Sequence, residues 1–171
     1  LIQDKRKQKK FFKDHDIPTA DFLLVENKAE VINHQSYLPA VIKLGRDGYD
    51  GRVVQMLRNK EDLSKAFDAP GLLEKLIDFE KEISVIVSRN ESGVIASFPA
   101  VEMVFHPSAN LVEYLCSPAQ LNEEVARQAK EIAERVIKSL GLVSLLAVAM
   151  FVTRDGHVLV NEVAPRPHNS G

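Results

Sequence analysis

The stretch from Leu121 to Glu162 constrains the fold more than any other. Val125, Ala129, Ile132, Ala133, Val136, Ile137 and Leu140 recur at helical spacing, and Gly141 follows as a stop signal. The continuous apolar run "SLLAVAMFV" then reads as a buried strand, "TRDG" as a turn and "HVLVNE" as the returning strand. If Val152 faces His157 across a four-residue turn, Ala149 faces Val160 and Ala147 faces Glu162. Side chains alternate along strands, so Ala149 and Glu162 are predicted on one face as diagonal neighbours.

The rest of the chain alternates short helices with short strands. "DKRKQKKFFKDHDIPTADF" predicts a helix from near Asp4, closed before Ile17-Pro18 because a residue preceding proline avoids the helical region. "DFLLVEN" reads as a strand, "NKAEVINHQSYLP" as a helix ended by Pro39, and "NKEDLSKAF" as a capped helix. "PAVIKLGRDGYDGRVVQML" reads as two strands around a loop from Gly45 to Gly51. The segment 71–105 predicts a strand, a linker and a hairpin turning at Asn90 to Gly93. Antiparallel hairpins mixed with helices argue for an α+β fold. A change of character near Leu115 to Asn122 predicts a small first lobe over 1–118 and the start of a second over 119–171.

Composition excludes several classes. Hydrophobic residues make up 45% and charged residues 27%, as in ordinary globular sequences. With 22 basic against 24 acidic residues, nothing favours a nucleic-acid partner. The basic opening "DKRKQKK" is read as a solvated helix face. A single cysteine, Cys116, permits no internal disulfide, which fits a reducing compartment. There is neither an apolar run of membrane-spanning length nor an export signal, so a cytoplasmic location and no membrane partner are expected.

Three constellations carry chemistry. In "VIKLGRDGYDGR" a strand delivers Lys43 directly before a glycine-containing loop. A lysine is a point charge suited to phosphate, and backbone N–H groups in such loops wrap phosphate oxygens. The order is not that of the Walker motif, where lysine follows the glycines, and a plain hairpin turn remains open at this stage. In "LLEKLIDFEKEISVIV", Glu74 ends one strand and Glu80, Lys81 and Glu82 open another. These serve either as solvated strand ends or as a nucleotide clamp, with the backbone of Glu74 to Ile77 on an adenine edge and a carboxylate on the ribose hydroxyls. In the final hairpin, Glu162 supplies one carboxylate of the kind that binds a divalent cation together with nucleotide phosphates and water.

Together these segments resemble the ATP-grasp superfamily, and within it the carboxylating ligases of purine synthesis, the 5-(carboxyamino)imidazole ribonucleotide synthases. "VIKLGRDGYDGR", "LIDFEKEISVIV", "LLAVAMFV" and "NEVAPRPHNSG" carry the resemblance, with "GYDGR" and "APRPHNSG" its most specific parts. It implies an ATP-grasp fold and ATP-dependent carboxylation of 5-aminoimidazole ribonucleotide by bicarbonate through carboxyphosphate. ATP and Mg2+ would be the cofactors, and the intact enzyme a homodimer. Lys5 and Lys43 would contact phosphates under a loop from Gly48 to Val54 that includes Gly51 and Arg52. Glu74, Lys75, Leu76 and Ile77 would hold adenine, Glu82 the ribose, and Asn161 and Glu162 the metal and phosphate end. Tyr49 and Asp50 would face the imidazole substrate, Asp50 positioning or deprotonating its amine. Arg166 and His168 would hold bicarbonate or carboxyphosphate, and a nucleotide-binding histidine would fall at His106.

The chain departs from that pattern in three sequence positions. Ala149 stands where the family has a glutamate metal ligand. Asp47-Gly48 replaces Gly-Gly, and Val53 replaces a glycine, which stiffens the loop. The flanking Rossmann-like domain and C-terminal segment of the family are also absent, so the chain is expected to be a piece of the enzyme with little activity alone. The alternative, supported by Ala149, is a nucleotide-binding or structural module that keeps the fold without catalysis.

Overall fold

The computed structural model describes residues 4–46, 54–105 and 112–165. It contains three α-helices and ten strands among these residues, arranged as two antiparallel sheets. The chain forms two compact units. One comprises Leu1–Phe11 and Ala20–Ile77, the other Phe12–Thr19 and Asp78–Gly171. Leu115–Asn122 lies inside the second unit, covering the end of one edge strand and the residues before its long helix.

In the first unit, helix α1 (Lys5–Asp14) begins where the Asp4 carboxylate accepts from the Arg6 and Lys7 amides at 3.0 and 3.3 Å. Such a cap satisfies N–H groups that have no partner inside the helix. The sheet order is β1 (Phe22–Val25), β4 (Gly71–Lys75), β2 (Ala40–Leu44), β3 (Val54–Leu57). One face packs Val25, Ala40, Ile42, Leu57 and Leu73 against Val31 of α2 (Lys28–Asn33) and against Leu63 and Ala66. Helical structure after Asn27 is shorter than expected: α2 stops at Asn33, and a separate 3-10 turn covers Gln35–Tyr37. "NKEDLSKAF" likewise forms only a 3-10 turn, Glu61–Lys65.

In the second unit the sheet runs β10 (Val158–Ala164), β9 (Ser144–Thr153), β5 (Phe79–Arg89), β7 (Val101–Phe105), β8 (Val112–Cys116), with β6 (Ile95–Ser97) paired to β5. Helix α3 (Glu123–Leu140) is capped by Asn122, whose side chain accepts from the Val125 amide, and ends at left-handed Gly141, φ 62°. Six of the seven predicted positions, Val125, Ala129, Ile132, Ala133, Val136 and Ile137, form its buried stripe, and Leu140 is half-buried. Ile83, Val85, Val87, Leu146, Val148 and Met150 share the apolar face of this sheet, each 1% exposed or less.

The final hairpin departs from the expected register. Thr153 and His157 close a three-residue loop, with Gly156 at φ 84° supplying the left-handed turn residue. Val158 therefore pairs with Val152 and Val160 with Met150. A bulge between Val160 and Glu162 then adds a second one-residue shift. Two such shifts keep the face but change the neighbour, so Glu162 stands directly opposite Ala149 instead of diagonal to it.

Candidate functional site

The first unit gathers its buried charge at one place. On the opposite face of β2 and β4 from the unit's apolar core, Lys43 and Glu74 are diagonal neighbours. Lys9 of α1 contacts Glu74 Oε1 and Lys43 contacts Oε2. Side-chain exposure is 3% for Lys9, 4% for Glu74 and 12% for Lys43. Glu74 is thus no solvated strand end. Burial pushes its carboxyl up, but the Lys43 and Lys9 ammoniums outweigh that and hold it below the ordinary glutamate value.

The basic opening is likewise not uniformly solvated. Lys7 and Lys10 are exposed, but Gln8 and Lys9 are buried, as is Phe12. Lys5 and Lys9 are one helical turn apart and share a face. That spacing was the available signal for Lys9, which the sequence reading missed by treating the run as a single class of residue. The Lys5 amide donates to the Gly45 carbonyl at 2.9 Å, tying α1 to the end of β2 where the glycine-containing loop begins. A cavity of about 690 Å3 opens there, lined in part by Arg6, Lys7, Lys10, Leu44 and Arg46. Asp4 also lines it and pairs with Arg46, while Arg6 pairs with Glu26, so basic side chains outnumber acidic ones there.

Of the expected adenine-binding stretch, two N–H groups are taken. The Lys75 amide donates to the Asp21 carbonyl at 2.8 Å and the Leu76 amide to the Pro39 carbonyl at 3.2 Å. The Lys75 ammonium donates to the Tyr37 carbonyl at 2.8 Å and sits 4.5 Å from the centre of its ring. These contacts anchor the end of β4 at Lys75 and Leu76 just beyond it.

In the second unit, Glu82 and Ser84 of β5 lie on the same sheet face as Phe151 and Ala149 of β9. Glu162 joins that face opposite Ala149. Phe151 stacks on Phe79 with ring centres 4.5 Å apart, an apolar platform beside Glu82 that the sequence reading also missed. Asn161 occupies the bulge, half-buried, while Glu162 is exposed. Among the described residues no three of His, Cys, Asp and Glu come together as a metal cluster. At position 162 one carboxylate faces an alanine methyl, so magnesium fits here only with oxygens brought by a nucleotide.

Gly48, Tyr49, Asp50, Gly51, Arg52, His106, Arg166 and His168 lie outside the described residues. Among the described residues, no helix is long and apolar enough to cross a membrane.

The chain is similar to several known proteins. N5-carboxyaminoimidazole ribonucleotide synthase of Bacillus subtilis is 34% identical over 177 residues, covering 100% of this chain and 46% of that protein. The crystal structure of N5-carboxyaminoimidazole ribonucleotide synthetase from Thermotoga maritima is 38% identical, with a TM-score of 0.85 over 99% of this chain and 43% of its own. N5-carboxyaminoimidazole synthase from Aspergillus clavatus, solved with ADP and 5-aminoimidazole ribonucleotide, has a TM-score of 0.89 at 26% identity, covering 99% of this chain and 46% of its own. The chain thus spans less than half the length of these relatives. The ATP-grasp domain description matches residues 10–171. Two antiparallel sheets, a lysine delivered at the end of β2 and a match over nearly all of its length together make this chain a member of the ATP-grasp domain family.

Proposed function

We propose that the protein carrying this chain uses ATP to carboxylate the exocyclic amine of 5-aminoimidazole ribonucleotide with bicarbonate, in purine synthesis. The observation that supports this most is Lys43, poised on a buried carboxylate at the end of β2, in a chain whose relatives bear that activity in their names. A bicarbonate oxygen bonds to the γ-phosphorus and ADP leaves; the substrate amine then bonds to the carboxyl carbon and phosphate leaves. Positioning and charge stabilisation carry phosphoryl transfer, so the chain's main task is to hold anions.

In this reading Lys5 and Lys43 bind phosphates, with the loop of Gly48, Gly51 and Arg52 over them. Because the Lys75 and Leu76 amides are engaged, adenine is met by the Ile77 amide and by carbonyl oxygens of the 74–77 stretch. Glu82 takes the ribose, and His106 joins the nucleotide site. Asp50 accepts the amine proton beside Tyr49, and Arg166 and His168 hold bicarbonate or carboxyphosphate. Arginine suits that task, since its planar fork matches a carboxylate or phosphate. Magnesium, held by Glu162 and Asn161 with the nucleotide, would neutralise phosphate charge.

A second reading, a nucleotide-binding module without turnover, is favoured by one observation: Ala149 leaves Glu162 without a facing carboxylate. The experiment is incubation of the full-length protein with ATP, 13C-bicarbonate and 5-aminoimidazole ribonucleotide. Label on the ribonucleotide amine with one ADP per product is expected. Tight nucleotide binding with no labelled product would favour the second reading.

A further inference from the structure

Lys9, Lys43 and Glu74 come from three different elements, and both ammoniums contact one carboxylate. A single lysine would neutralise Glu74. The second leaves the cluster with one surplus positive charge where little water screens it. The two lysines are not equivalent, because Lys43 retains 12% side-chain exposure and Lys9 only 3%. Lys43 is therefore the one able to turn toward an incoming anion. If Lys43 alone held Glu74, that turn would strand a buried carboxylate, which is the costly outcome of breaking a buried pair. With Lys9 on Oε1, the carboxylate keeps a charged partner throughout.

We propose that Lys9 is a positioning residue: by holding the Glu74 carboxylate, it releases Lys43 to bind the phosphates of a nucleotide. The proposal rests on the ATP-site reading above and assigns roles to two side chains which that reading leaves without one. Glu74 contributes its backbone to the adenine stretch, while its side chain acts as a parking site for the phosphate-binding lysine. Lys9 never touches the nucleotide.

The test compares dissociation constants for ADP and for adenosine, which lacks phosphates, in the full-length protein and in Lys9→Met and Lys9→Arg. Lys9→Met is expected to weaken ADP about tenfold while changing adenosine less than about twofold. Lys9→Arg, which keeps the charge, is expected to restore ADP to within about threefold. Should Lys9→Met fail to fold, Lys9→Gln keeps a donor to the carboxylate without the charge and carries the same expectation. An unchanged preference for ADP in the uncharged variant, or equal losses of ADP and adenosine, would overturn the proposal and leave the ATP-site reading standing. A wild-type protein that does not prefer ADP to adenosine would overturn that reading and the proposal with it.

Discussion

Glu74 shows how a single residue ties fold to function. Its carboxyl is held below the ordinary glutamate value of 4.5, so the stability it contributes is present above that value and is lost as pH falls through its lower folded value. Glu74→Gln leaves two buried ammoniums without a counter-charge and is expected to cost about 3 kcal/mol near neutral pH. Urea denaturation of both proteins from pH 7 to pH 3 should show that gap shrinking below about pH 4.5. A gap that stays constant would mean the carboxylate is not held by its two lysines. Ala149 makes a complementary case. It is 8% exposed and pairs directly with Glu162, so Ala149→Glu places two carboxylates side by side. The substitution should lower the melting temperature alone and raise the gain from Mg-ATP above that of the parent. Equal gains in parent and variant would show that position 149 is not a metal site. Lys43 and Glu162 stand out in the sequence because each is a charge near the end of an apolar strand. Lys9 was overlooked, because its one signal, a helical turn from Lys5 on the same face, sits inside a basic run whose neighbours Lys7 and Lys10 are exposed.

Among the elements, those with regular patterns were legible and those set by turn chemistry were not. Helix α3 was read with its buried stripe and its Gly141 stop, since six apolar positions at helical spacing admit one face only. Its start depends on the Asn122 side chain accepting from the Val125 amide at 2.8 Å. Asn122→Ala should therefore cost about 1 kcal/mol in chemical denaturation. The register of β9 and β10 was misread because loop length and bulge each shift pairing by one residue, and apolar alternation reports neither. The approach of β4 to β2 was equally silent in sequence. A Cβ built on Gly71 would lie 2.4 Å from the Lys43 carbonyl oxygen, so only glycine lets the two strands pair there. Gly71→Ala is expected to cost about 2 kcal/mol by forcing β2 and β4 apart, and to weaken ADP binding because the displaced strand carries Lys43. Loss of stability with full ADP affinity would separate the sheet from the site.

For the whole molecule, the fold class and family were legible because motifs on β2, β5, β9 and β10 fall in one order, which composition alone does not supply. The lobe boundary was harder to read: β7 and β8 pair into the same sheet as β9 and β10, and strand pairing across distant segments leaves no local mark. This chain spans less than half the length of its relatives, and these 171 residues by themselves should bind Mg-ATP with a dissociation constant near millimolar, about −4 kcal/mol. Titration calorimetry giving micromolar affinity would contradict that. The most direct measurement of the account as a whole is ADP release by the full-length protein and its Lys43→Met variant, in ATP and bicarbonate, with and without 5-aminoimidazole ribonucleotide. Release is expected to depend on the ribonucleotide and to fall about 100-fold in Lys43→Met, assayed at a temperature where both proteins are folded. Release that ignores the ribonucleotide, or that survives Lys43→Met, would contradict the account.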